Sequence, residues 1–234
     1  MKIKKLLFAS ALLFSAYNAS AQTQVIAHRG FWKTEGSAQN SIAALLKADS
    51  IGCYGSEFDV WLAADDQLVV NHDPTFKGKR MENSPSTALT AIKLDNGESL
   101  PTLAKYLKAA QPLHTRLILE LKAHSTPLRE TKAIEKIVAL VKDMGLEERM
   151  EYITFSLHAT KEFIRLAPEG TPVYYLDGNL SPKELKELGC AGPDYHYTVF
   201  RKHPEWIQEA KDAGLTINVW TVDDPAVMES FVAK

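Results

Sequence analysis

GSEFDVWLAADDQLVVNHD, residues 55–73, sets two apolar runs on either side of Asp65-Asp66. The runs are short and rich in β-branched and aromatic residues, and paired acids between them suit a turn, so the segment predicts two strands. The first strand carries Glu57 and Asp59 at i and i+2, on one face. Alone, the two carboxylates read as a solvated edge; with partners from other strand ends they would line a site, and where those partners lie decides the architecture.

On both sides of this segment, short apolar runs alternate with amphipathic ones. TQVIAHR (23–29), RLILELK (116–122), EYITFS (151–156), TPVYYL (171–176), PDYHYTV (193–199) and LTINVWTV (215–222) read as further strands. NSIAALLKADSIG (40–52), LPTLAKYLKAA (100–110), RETKAIEKIVALVKDMG (129–145), LHATKEFIRLAP (157–168), SPKELKELG (181–189) and HPEWIQEAKDAG (203–214) read as helices, with Ser181 as an N-cap and Pro182 in the first turn. Sustained alternation predicts parallel strands joined by crossover helices. An open doubly wound sheet would gather its chemistry at one switch point, whereas a barrel gathers residues from many strand ends.

The polar residues follow the second pattern. His28-Arg29-Gly30 ends the first strand, Glu57 and Asp59 lie on the second, and the segment after its turn leads to His72-Asp73. Glu120 and Lys122 sit at i and i+2 in LILELK, Ser156 ends the next strand, and Trp220 is near the end of the last. Each pair alone reads as a solvated edge or a turn. In a barrel all of them meet at one mouth. Three carboxylates there repel one another unless a cation lies between them, and an oxygen-only set favours Mg²⁺ or Ca²⁺ over zinc. Arg29 and Lys122 would attract a phosphate, and His28 and His72 could divide base and acid roles. That combination suits phosphodiester cleavage.

With AHRG, AQNS, EFDVWLAADDQLVVNHD, LPTLAKYL, LILELK and NVWTV in place, the chain from about Val25 onward resembles the glycerophosphodiester phosphodiesterases. The resemblance implies an α/β, TIM-barrel-like (β/α)8 fold with the His72 hairpin inserted at the barrel mouth. It implies Glu57, Asp59 and Glu120 as ligands of one divalent cation, His28 and His72 as the acid/base pair, and Arg29 and Lys122 as phosphate contacts. It also implies hydrolysis of a small glycerophosphodiester to glycerol 3-phosphate and an alcohol. A related phosphodiesterase giving a cyclic phosphate, and a non-catalytic phosphate-binding barrel, are the alternatives. Two departures stand out. Ala38-Gln39-Asn40-Ser41 replaces the Pro-Glu-Asn-Thr frequent in the family, which loses a charge at Gln39. The chain also stops soon after NVWTV, so seven barrel strands are expected, with the last missing and a gap between the first and seventh.

Residues 1–21 have a basic start at Lys2, Lys4 and Lys5, an apolar run from Leu6 to about Tyr17, and the small-x-small ending Ala19-Ser20-Ala21. They read as a secretory signal peptide, which predicts an exported, periplasmic protein. The apolar run is shorter than the roughly 20 residues of a membrane span. Of the 234 residues, the 213 that follow suit one barrel domain, 22–234. The full chain carries a formal charge of −2, and loss of the three leader lysines takes it to −5. Neither value suits a nucleic-acid partner. Cys53 and Cys190 fall on different βα units and are expected as separate buried thiols.

Overall fold

The computed structural model describes residues 23–232. The leader expected at 1–21 lies outside the described residues. Ten strands run in chain order: β1 (Ile26–Ala27), β2 (Gly55–Leu62), β3 (Leu68–Val70), β4 (Thr75–Phe76), β5 (Lys79–Arg80), β6 (Arg116–Leu121), β7 (Met150–Thr154), β8 (Val173–Tyr175), β9 (Gly192–His196) and β10 (Asn218–Trp220). Among the described residues nine α-helices accompany them: α1 (Ile42–Ser50), α2 (Ser86–Thr90), α3 (Leu103–Ala110), α4 (Pro127–Asp143), α5 (Leu157–Leu166), α6 (Pro182–Leu188), α7 (Tyr197–Lys202), α8 (Glu205–Asp212) and α9 (Pro225–Val232).

Seven strands pair in the order β1-β2-β6-β7-β8-β9-β10, all parallel. Ile26 on β1 and Trp220 on β10 pack in one cluster with Ile118, Ile153, Tyr174 and Leu176. Strands at opposite ends of the order therefore face a common interior, and the sheet curls as in a TIM barrel. The seven expected barrel strands are the seven observed. Among the described residues β1 and β10 do not pair with each other.

A second, larger core lies between the sheet and its helices. Phe58, Val60, Leu117, Leu119 and Tyr152 point outward from the strands to meet Leu45, Leu107, Ile134, Ile137 and Phe163 on the helices, all at most 1% exposed. Strand residues thus alternate between two apolar environments, which is why β2 is buried along its whole length. At α6, Ser181 and Glu184 form a capping box and Gly189 closes the helix in the left-handed region at φ +88°.

The expected turn at Asp65-Asp66 folds β3 back antiparallel on β2, with Val60 opposite Val70. The chain then makes the β4–β5 hairpin and α2 before α3 begins, so residues 63–102 form an insertion at the strand ends. The insertion has a core of its own around Val69, Met81, Leu89 and Leu100, closed by Trp61 of β2, while Leu68 and Val70 join the larger core.

Three expectations need adjustment. PDYHYTV is strand only as far as His196; the His196 side chain then accepts a hydrogen bond from the Thr198 N–H and starts α7. The helix expected from Arg129 begins at Pro127, capped by Thr126. Cys53 and Cys190 are both free, but only Cys190 is buried. No helix among the described residues is long and apolar enough to cross a membrane.

Candidate active site

The site grows from the turn after β1. Arg29 and Gly30 both adopt left-handed backbone, at φ 60° and 76°. At Gly30 the need for glycine is double, because a Cβ there would lie 2.6 Å from the Ala44 Cβ of α1. The turn aims the Arg29 N–H at Glu57 Oε2, 2.7 Å away, and leaves the His28 Nε2 at 3.9 Å from the same oxygen. The Arg29 side chain runs the other way and donates from Nη1 to Gln39 Oε1 at 2.5 Å.

The neighbouring loop secures the second carboxylate. Asn40, also left-handed at φ 59°, donates to Asp59 Oδ2 at 2.8 Å and accepts the Asp59 N–H at 3.0 Å. Both ends of the amide are thereby used, and Asp59 is held in one orientation. On β6, Glu120 lies beside Asp59 in register. Lys122 reaches back between them, with Nζ 2.7 Å from Glu120 Oε1 and 3.3 Å from Asp59 Oδ1. His72 stands on the insertion, its Nδ1 2.7 Å from Asp73 Oδ1 and its carbonyl 3.4 Å from Trp61 Nε1.

Glu57, Asp59 and Glu120 each offer an oxygen within 4.8 Å of the others, and all three are buried. Burial pushes Glu57 well above the ordinary carboxylate range, and the charges of Asp59 and Glu120 add to it. Burial and then Asp59 push Glu120 up to about 8 despite Lys122. Burial would raise Asp59 too, but Lys122, His72 and the Asn40 amide hold it below its usual value. Burial opposes the Lys122 charge, yet its two carboxylate neighbours raise its pKa. Burial and Arg29 lower His28 to about 4, although its ring edge opens to the mouth. Lys122 is one positive charge among three acids, so the cluster is short of positive charge. Glu57 Oε1 is moreover buried without a hydrogen-bond partner. An all-oxygen cluster with an orphaned acceptor could hold a hard divalent cation.

All seven residues expected from the sequence lie on the strands or on the loops that follow them: Glu57 and Asp59 within β2, Glu120 near the end of β6, and the others just beyond strands. Lys122 contacts Asp59 and Glu120, the Arg29 N–H contacts Glu57, the three carboxylates lie within 4.8 Å of one another, and His28 borders Glu57. His72 approaches through Trp61 and Asp73, and its charge is felt at Asp59. Sequence reading missed the role of Asn40 as the clamp on Asp59. Its position in AQNS was the available signal.

The chain from residue 28 to residue 233 matches the Glycerophosphoryl diester phosphodiesterase family. It is similar to the crystal structure of a glycerophosphodiester phosphodiesterase from Parabacteroides distasonis, with 54% identity, 91% of this chain and 89% of that chain covered, and a TM-score of 0.89. An Oleispira antarctica phosphodiesterase solved with the product sn-glycerol-3-phosphate is 25% identical, over 92% of this chain and 90% of that one, at a TM-score of 0.76. A glycerophosphodiester phosphodiesterase of Caldanaerobacter subterraneus is 28% identical, with 90% of each sequence covered. A barrel whose strand ends gather three acids, two cations and two imidazoles is what the match extends over, and this chain belongs to the glycerophosphoryl diester phosphodiesterase family.

Proposed function

We propose that this protein hydrolyses small glycerophosphodiesters to sn-glycerol 3-phosphate and an alcohol such as choline or ethanolamine. The observation that carries the reading is the grouping of Glu57, Asp59 and Glu120 within 4.8 Å beside Lys122 and Arg29. Family membership and the product bound to the Oleispira relative support it.

In this reading Glu57, Asp59 and Glu120 hold one divalent cation, Mg²⁺ or Ca²⁺. When bound, the cation supplies Lewis-acid stabilisation of charge on the phosphoryl oxygens. Arg29 and Lys122 bind the same phosphate from either side, Arg29 through a planar donor fork and Lys122 as a point charge. Gln39 holds the Arg29 fork in place, and Asn40 fixes Asp59. His28 and His72 divide the proton transfers: one takes a proton from the attacking water, which forms the new P–O bond, and the other gives a proton to the alcohol oxygen as its P–O bond breaks; in the cyclic alternative a substrate hydroxyl attacks instead. Asp73 orients the His72 ring through Nδ1. The basic, apolar and small-residue sequence of 1–21 supports export, and so a periplasmic enzyme.

Purified protein incubated with glycerophosphocholine, with and without chelator, tests the reading. Phosphorus NMR should show glycerol 3-phosphate formed only when Mg²⁺ or Ca²⁺ is present. A cyclic phosphate as end product replaces hydrolysis with internal transfer. Full turnover in excess chelator rejects the cation.

A further inference from the structure

β2 carries Glu57 and Asp59, and β6 carries Glu120 and Lys122. Their ladder runs in register from Gly55↔Arg116 to Val60↔Leu121, and the Lys122 N–H still donates to the Val60 carbonyl at 3.1 Å. In a parallel ladder the next bond would run from the Leu62 N–H to the Lys122 carbonyl. It does not form directly. The His124 imidazole lies between the two groups: Leu62 N–H donates to Nε2 at 2.9 Å, and Nδ1 donates to the Lys122 carbonyl at 2.6 Å. The backbone partners set the tautomer, because an N–H can only donate and a carbonyl can only accept. Burial, which lowers the His124 pKa, keeps the ring in the neutral form that both bonds need.

We propose that His124 is a positioning residue that replaces one rung of the β2–β6 ladder with its imidazole and so sets the spacing of the strand ends that carry Asp59 and Lys122. The ring is itself held. Its backbone N–H donates to Glu130 Oε1 at 3.2 Å, and Ser156 Oγ fixes the other Glu130 oxygen at 2.7 Å. Its ring meets Trp61 in a tilted contact, with centroids 5.3 Å apart and planes at 56°. Trp61 in turn donates to the His72 carbonyl. The same imidazole therefore opens β2 away from β6 where the insertion leaves the barrel, and supports the indole against which His72 sits. A simple rung at this point would bring Leu62 onto β6 and leave no gap for the insertion.

The inference rests on the proposed function, and its test separates the two. His124→Gln retains a donor for Lys122 and an acceptor for Leu62, whereas His124→Leu keeps bulk and loses both. Each would be compared with wild type for melting temperature, for hydrolysis of glycerophosphocholine and for Mg²⁺ and Ca²⁺ affinity by calorimetry. His124→Leu should lower kcat/KM and cation affinity by roughly 10-fold or more, and His124→Gln should recover both to within about 3-fold. Should His124→Leu fail to fold, His124→Gln decides alone: near-wild-type affinity and rate support the proposal, and a 10-fold loss overturns it. Equal losses in both variants, or a fully active His124→Leu, also overturn it. Wild type that neither binds cation nor hydrolyses the diester rejects the proposed function instead. In that case ¹⁵N NMR of the histidine rings still tests the wedge, which requires a neutral His124 protonated at Nδ1 at pH 7; the opposite tautomer overturns it.

Discussion

Arg29 and Gln39 are joined by one hydrogen bond of 2.5 Å, Nη1 to Oε1, and the Arg29 Nε is buried without a partner. The amide therefore does much of the work of aiming the guanidinium. Gln39→Ala should raise KM for glycerophosphocholine by roughly 5–10-fold, consistent with the loss of about 1–1.4 kcal/mol, a typical net hydrogen bond, and leave kcat within about 2-fold. Steady-state kinetics check this. An unchanged KM would show that Arg29 needs no such support.

Loss of either imidazole should slow the chemical step without unfolding the chain. His28 is partly exposed and His72 lies on the insertion, so neither is a core residue. His28→Ala and His72→Ala should each lower kcat by roughly 10²–10⁴ with melting temperatures little changed. A variant that retains most of its rate removes that residue from proton transfer.

Cation binding should tighten as pH rises. Glu57 and Glu120 both have raised pKa values, and Glu120, near 8, is largely protonated at neutral pH when no cation is present. A cation must displace protons held there, and the competition fades above the raised values. Affinity for Mg²⁺ should increase by up to about 10-fold per pH unit for each proton released between pH 6 and 8. Calorimetry in buffers of different ionisation heat counts the protons. A pH-independent affinity with no proton release would contradict the charge balance drawn for the cluster.

Asp194 lies on β9, fully enclosed, where burial and the charge of Glu151 push its pKa up to about 7. Glu151 itself is engaged by Tyr54 and Arg116. Since the folded state retains the Asp194 proton longer than the unfolded chain does, its contribution to stability falls as pH rises from about 4 to about 7. Asp194→Asn should remove that slope and raise the melting temperature at pH 8 by at least about 2 °C. Thermal scans from pH 5 to pH 8 measure it. A lower melting temperature for the variant at pH 8 would show that the ionised carboxylate is stabilising.

The strand ends were legible because an acid, a lysine or a histidine interrupting an apolar run is conspicuous, as in LILELK and EFDV. Parallel strands place every C-terminal end on one side, and the curl of the sheet then brings those ends together. His124 was not legible. Its role depends on two backbone groups, one of them 62 residues away, and nothing in ELKAHS announces a ring inserted in a ladder. Asn40 was visible as part of a motif, but its contact with Asp59 depends on a left-handed backbone at Asn40 that the sequence does not reveal. α7 was hidden for a third reason: Tyr-Thr-Val has strand propensity, and the His196 cap overrides it.

The insertion of residues 63–102 has its own apolar centre and is joined to the barrel by the β2–β3 ladder, by Leu68 and Val70 in the main core, and by polar contacts: Glu82 accepts from Arg129 Nε and from Ser125, and Lys132 meets Asp66. Such a piece is a natural unit for grafting between relatives, provided the donor keeps the β3 ladder on β2 and the Asn71 N–H bond to the Asp59 carbonyl. The graft has a second condition. A donor insertion placed on a barrel without the Arg129 and Ser125 counterparts would fold around its own centre and still deliver its histidine to the wrong place. Chimaeras of this family should therefore be cut to include the start of α4, not at the two chain crossings alone.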